Sequence, residues 1–186
     1  MADGPAAGRH VVLVGLPGVG KSTVGRRLAK ELDRPFADVD EQVELEAGAT
    51  IPALFRHRGE AEFRRREAEM VADLVGRPHP LVIAAGGGVV TIDANRARLA
   101  GTYVIWLRAS PEFLARRTDP SYRPLLAGDA RATLARLAAE RAPQYEAVAD
   151  LAVDVEGFHA VDDKPKRALA RHIAGLLAGT EARVRP

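Results

Sequence analysis

The chain has 186 residues, 47% of them hydrophobic and 28% charged, which is the balance of one globular domain able to bury a central sheet. Its 27 basic and 25 acidic residues leave a net charge of only +2, which argues against a dense basic face for nucleic acid. Cysteine is absent, which excludes disulfides, thiol nucleophiles and thiolate zinc sites.

In chain order, residues 1–9 are rich in Ala and Gly and are expected to form a flexible leader. They lack the apolar centre of a secretion signal, and no later run approaches the roughly eighteen apolar residues of a membrane span. A cytoplasmic protein is expected. Val11–Val14 is a short apolar run that reads as a buried strand. The glycine-rich stretch GLPGVGKST, residues 15–23, follows it and leads into a helical pattern over Lys21–Leu32. Pro35–Val39 is a weaker strand signal ending in the aspartates of FADVD. A helix is expected over Glu60–Val75 and a strand over Leu81–Ala84, the latter running into Gly86-Gly87-Gly88. Tyr103–Leu107 reads as a strand and Ser110-Pro111-Glu112 as a helix start, with a serine cap and proline in the first turn. The segment 118–128 interrupts the alternation with two prolines around Arg123 and is a lid candidate. Ala130–Val148 has helical spacing, Leu151–Val153 is a last strand, and 156–166 reads as a polar surface loop. Alternating strands and helices predict an α/β fold, three layers α/β/α around a parallel sheet. One domain over residues 10–178, followed by a flexible tail over 179–186, is expected.

The spacing Gly15-x4-Gly20-Lys21-Ser22 fits the P-loop pattern in its required strand-to-helix setting. Glycines let backbone N–H groups curl around a phosphate without Cβ obstruction, and the helix N-terminus adds partial positive charge. Gly18, Val19, Gly20, Lys21, Ser22 and Thr23 are therefore the ATP-binding candidates. Lys21 is expected to be solvated without nucleotide and to reach the β- and γ-phosphates when it binds, while the Ser22 hydroxyl ligates Mg2+.

The acceptor is less legible. Asp38 and Asp40 alternate along the strand and so are expected on one face, one for the metal's water shell and the other for a substrate hydroxyl; the alternative is a pair of helix-capping residues. Three glycines after a strand point to close approach of a ligand. Arg64, in EFRRRE, and Arg141, in ERAPQY, are ambiguous alone, since helices carry many solvated arginines. The five histidines show no metal spacing and are left as structural or surface residues.

Taken together, GLPGVGKST, FADVD, EFRR, the triple glycine, RRT…RPLL and ERAPQY resemble the shikimate kinase family, in family order from about residue 10 to 175. The resemblance implies the nucleoside monophosphate kinase fold with a five-stranded parallel sheet ordered 2-3-1-4-5 and a lid. It implies transfer of the ATP γ-phosphoryl to the 3-hydroxyl of shikimate, on the way to chorismate and the aromatic amino acids. Residue by residue, it gives Asp40, Arg64, Gly87 and Arg141 to shikimate, Ser22 and Asp38 to Mg2+, Lys21 and Arg123 to the phosphates, and Arg117 to adenine. Lys21, Asp40 and Arg123 are the catalytic candidates. Ala84 stands where the family often has a hydroxyl, so metal support rests on Ser22 and Asp38. A monomer that uses neither nucleic acid nor membrane is expected. Adenylate and gluconate kinases are the nearest alternatives, and GKST with EFRR and the triple glycine disfavours them. A guanine-nucleotide switch would carry an NKxD motif, which the chain lacks.

Overall fold

The computed structural model describes residues 4–117, 129–161 and 164–179. Five parallel strands, β1 (Val11–Val14), β2 (Phe36–Asp38), β3 (Val82–Ala84), β4 (Tyr103–Arg108) and β5 (Leu151–Asp154), pair in the order β2-β3-β1-β4-β5. This is the sheet that the sequence resemblance implies. β1, β3 and most of β4 are buried on both faces, which is why they read as continuous apolar runs. Helices α1 (Lys21–Glu31), α2 (Val39–Ala47), α3 (Ile51–Val75), α4 (Asp93–Leu99), α5 (Pro111–Ala115), α6 (Ala130–Val148), α7 (Glu156–Val161) and α8 (Pro165–Leu177) cover it. Among the described residues no helix is long and apolar enough to cross a membrane.

Several expectations need correction. Part of the leader is docked rather than flexible. Ala6 is buried, Arg34 donates to the carbonyls of Ala6 and Arg9, and a Cβ on Gly4 would sit 2.0 Å from the Leu177 carbonyl oxygen. The loop expected over 156–166 contains α7, whose start is tied down at both ends of Glu156. Its N–H donates to Asp154, and its carboxylate accepts the Ser110 N–H. The helical pattern expected from Glu60 is the second part of α3. Gly59, at φ 80° and ψ 169°, breaks that helix, and Phe55 packs on Phe63 across the break with ring centroids 5.1 Å apart. His10 is structural, as expected: Nδ1 accepts the Leu81 N–H, so Nε2 carries the proton and donates to the Arg77 carbonyl.

Candidate active site

The carboxyl ends of β1, β2 and β3 hold the site. After β1, Gly15, Gly18 and Gly20 all have positive φ, at 142°, 86° and 100°, which side chains with a Cβ rarely adopt. Gly15 is further fixed because a Cβ there would lie 2.4 Å from the Leu107 carbonyl oxygen. The loop feeds α1 through Gly20 with no side-chain cap, so the first amides of α1 keep no capping acceptor of that kind. Lys21 is not solvated. It is 9% exposed, and its Nζ donates to the carbonyls of Gly15 at 2.8 Å and Leu16 at 3.1 Å. The ammonium therefore lies folded over its own loop. Ser22 is exposed and Thr23 half-buried at the mouth.

FADVD does not present two aspartates on one strand face. β2 stops at Asp38, which caps α2: its Oδ1 accepts the amides of Asp40 at 3.0 Å and Glu41 at 3.4 Å. Asp40 stands in the first turn of the helix. Capping was the alternative reading, and it holds for Asp38. Capping occupies only Oδ1 of Asp38. Asp38 also pairs in register with Ala84 on β3, so the missing hydroxyl at Ala84 falls beside the candidate metal carboxylate.

The triple glycine gathers charged side chains from separate elements. A Cβ on Gly86 would lie 1.9 Å from Glu67 Oε1 and 3.1 Å from Asp40 Oδ1. One on Gly88 would lie 2.3 Å from an Arg64 guanidinium nitrogen. Both glycines thus make room for the protein's own charged side chains, which refines the expectation of ligand approach. The carbonyl of Gly87 accepts from Arg141 at 2.9 Å and from the Tyr145 hydroxyl at 2.5 Å. Gly87 itself abuts Pro17, whose Cδ lies 3.1 Å from its Cβ position, so the triple-glycine loop and the glycine-rich loop after β1 share a wall.

Arg64 is held by Glu67 at 2.7 Å and by Glu60 at 3.1 Å. Burial opposes its charge, but the charge and hydrogen bond of Glu67, helped by Glu60, outweigh it and hold its pKa above the ordinary value. Arg141 is 7% exposed. Burial pushes the Tyr145 phenol up to about 12, although Arg141 pulls the other way, so the hydroxyl stays a donor to Gly87.

Glu67 and Tyr145 were missed in the sequence. Glu67 is fully buried, and its Oε1 has no hydrogen-bond partner among the described residues. The signal was spacing: Glu67 follows Arg64 by three residues and Tyr145 follows Arg141 by four, which puts each pair on one helix face. Arg117 is described at the end of α5, with its guanidinium carbon 5.0 Å from the centroid of the Phe113 ring. Arg123 and the lid candidate over 118–128 lie outside the described residues.

This constellation matches known proteins over most of its length. The family model described as shikimate kinase matches residues 17–174. The chain belongs to the shikimate kinase family. It is 45% identical over 168 residues to a shikimate kinase of Pseudomonas entomophila, covering 89% of this chain and 94% of the relative. It is 44% identical over 174 residues to a shikimate kinase of Nitrobacter winogradskyi, covering 92% and 78%. Among solved structures, the Acinetobacter baumannii shikimate kinase in complex with shikimate superposes with a TM-score of 0.84 at 35% identity, covering 94% of this chain and 96% of that one. The match over residues 17–174 takes in most of the glycine loop after β1 and the whole of Gly86–Gly88.

Proposed function

We propose that the protein transfers the γ-phosphoryl group of ATP to the 3-hydroxyl of shikimate, releasing ADP and shikimate 3-phosphate, in the cytoplasm. The observation that carries this reading is the convergence of Asp40, Arg64 and Arg141 on one glycine tripeptide that touches the phosphate loop through Pro17. Shikimate carries a carboxylate and hydroxyls. Arg64 and Arg141 are guanidinium forks suited to the carboxylate. Glu67 and Glu60 hold the Arg64 fork, and the Gly87 carbonyl holds the Arg141 fork, so each side chain is ordered before substrate arrives. Asp40 is the acceptor for the proton of the attacking hydroxyl and orients that oxygen toward the phosphate loop.

On the donor side, the amides of Gly18, Val19, Gly20, Lys21, Ser22 and Thr23 take the phosphates, and Lys21 leaves its two carbonyls to neutralise the transferring group. Arg123 adds a second cation from the segment after α5, and Arg117 lies against adenine. Ser22 and Asp38 would hold Mg2+. The fit rests on donor chemistry: both offer oxygen, Asp38 keeps Oδ2 outside its capping bonds, and Mg2+ takes most of its ligands from water and phosphate. No group of three or more metal-ligating side chains exists among the described residues to form an all-protein cage, in keeping with that coordination. When bound, the metal neutralises charge on the β- and γ-phosphates.

The test is coupled ADP release with shikimate, gluconate, AMP or no acceptor, followed by NMR assignment of the phosphorylated carbon. Release dependent on shikimate, with phosphate on the 3-oxygen, is expected. Equal rates with gluconate or AMP would refute the substrate, and phosphate on another oxygen would refute the position.

A further inference from the structure

We infer that Lys166, in the first turn of α8, is a second phosphate-binding lysine that grips the nucleotide beside Gly20, at the end of the P-loop. The assignment rests on the reading of that loop as an ATP site. α8 packs along α1, which brings its start beside the start of α1. There the Cε of Lys166 lies 3.8 Å from the Cβ position of Gly20. Gly20 is the last residue before α1, at φ 100°. The Lys166 ammonium is one bond beyond Cε, within reach of a phosphate seated on the amides around Gly20.

Two further observations favour a ligand over a solvated surface charge. Lys166 is half-buried, yet it makes no hydrogen bond or ion pair with any described residue, whereas Arg171 on the same helix pairs with Glu31. The adjacent Arg167 lines a surface groove that begins at Ser22 and Thr23 and continues along α1 past Arg26, Arg27 and Lys30, with Glu31 and Glu41 also on its wall. Lys21 and Lys166 differ in how they are held. Lys21 is tied to Gly15 and Leu16, while Lys166 crosses Gly20 on its alkyl stem. The two ammonium groups thus come to the loop from different elements, α1 and α8. The contact is electrostatic, common to ATP and ADP, and independent of the base.

Calorimetric titration of wild type, Lys166→Ala, Lys166→Arg and Arg171→Ala with ADP, ATP and adenosine tests the assignment. Lys166→Ala is expected to bind ADP and ATP about tenfold more weakly, the loss of one charge-assisted contact, and adenosine as well as wild type does. The loss should shrink in high salt. Lys166→Arg should restore most of the affinity. Arg171→Ala should bind like wild type, which separates the contact from the general charge of α8. If wild type binds both nucleotides and Lys166→Ala binds them equally well, the role of Lys166 is overturned. The same holds if adenosine binding falls in parallel. A wild-type chain that binds neither nucleotide would instead overturn the reading of the loop.

Discussion

Gly88→Ala tests the proposed grip of Arg64 on the acceptor. Gly88 has φ −100° and ψ 1°, a region open to alanine, so the backbone does not oppose the change. The new methyl, however, would stand 2.3 Å from one guanidinium nitrogen, 2.6 Å from the guanidinium carbon and 2.9 Å from the second nitrogen. Ordinary contact needs about 3.5 Å, so the guanidinium must retreat by about 1 Å or more. Arg64 is a flexible side chain and can swing away, but doing so stretches its 2.7 Å bond to the fully buried Glu67. Two losses follow. The charge-assisted contact proposed between Arg64 and the shikimate carboxylate is worth ~1.5–3 kcal/mol, so kcat/KM for shikimate should fall about 10- to 100-fold while KM for ATP holds. Leaving Glu67 without its partner should also destabilise the fold, with ~3–5 kcal/mol as the ceiling. Coupled ADP release across a range of shikimate concentrations, with a thermal melt beside it, reads both effects. In the double variant Gly88→Ala/Glu67→Gln, the unpaired charge disappears, so stability should recover while shikimate KM stays high. A single variant with KM for shikimate within twofold of wild type would refute the argument that Gly88 exists to admit Arg64.

Lys21→Met should lower kcat about 10²–10³-fold; because it also strips a donor from the carbonyls of Gly15 and Leu16, its melting temperature should fall at about 2–4 °C per kcal/mol lost. A variant with wild-type kcat would mean the lysine serves only the loop. Asp40→Asn should lose about 10²–10⁴ in rate with ATP affinity intact, and weakened ATP binding with intact shikimate binding would exchange its role with that of Asp38. Tyr145→Phe should be less stable than wild type by about 0.5–1.5 kcal/mol for the lost bond to Gly87. The tyrosine pKa is raised from 10.0 in the unfolded chain to about 12 in the fold, so the advantage is complete below pH 10 and disappears as pH rises through about 12. A stability difference between the two proteins that does not change across that window would contradict the buried-donor reading.

The donor half of the site was open to a reader of the sequence because its pattern is local. GLPGVGKST lies between a strand and a helix, and the positive φ values belong to the glycines themselves. The central strands β1, β3 and β4 were legible for a related reason: burial on both faces leaves unbroken apolar runs. The acceptor half was legible mainly through family resemblance, because its parts meet from separate elements. Asp38 and Asp40 misled, since a strand that ends one residue earlier than its apolar signal turns an alternating pair into a cap and a first-turn residue. Lys21 misled in the same way: nothing in its neighbours reveals that two carbonyls of its own loop will claim it. Glu67 looked like one more charge in a run of them, and only the absence of a Cβ on Gly86 gives it a place to be buried.

The break at Gly59 divides labour along α3. Arg64, Glu67 and Phe63 all lie downstream of it, on one stretch of helix, while Ile51–Arg58 forms a separate piece. Side-chain packing of Phe55 on Phe63, rather than a continuous helical ladder, joins the two. Insertions, deletions or exchanges in the piece before the break therefore do not propagate a rotation of about 100° per residue into the placement of Arg64. The segment before the break can vary in sequence and length without disturbing the register of Arg64 and Glu67 after it, a form of modularity for an engineer who wants to rebuild one and keep the other.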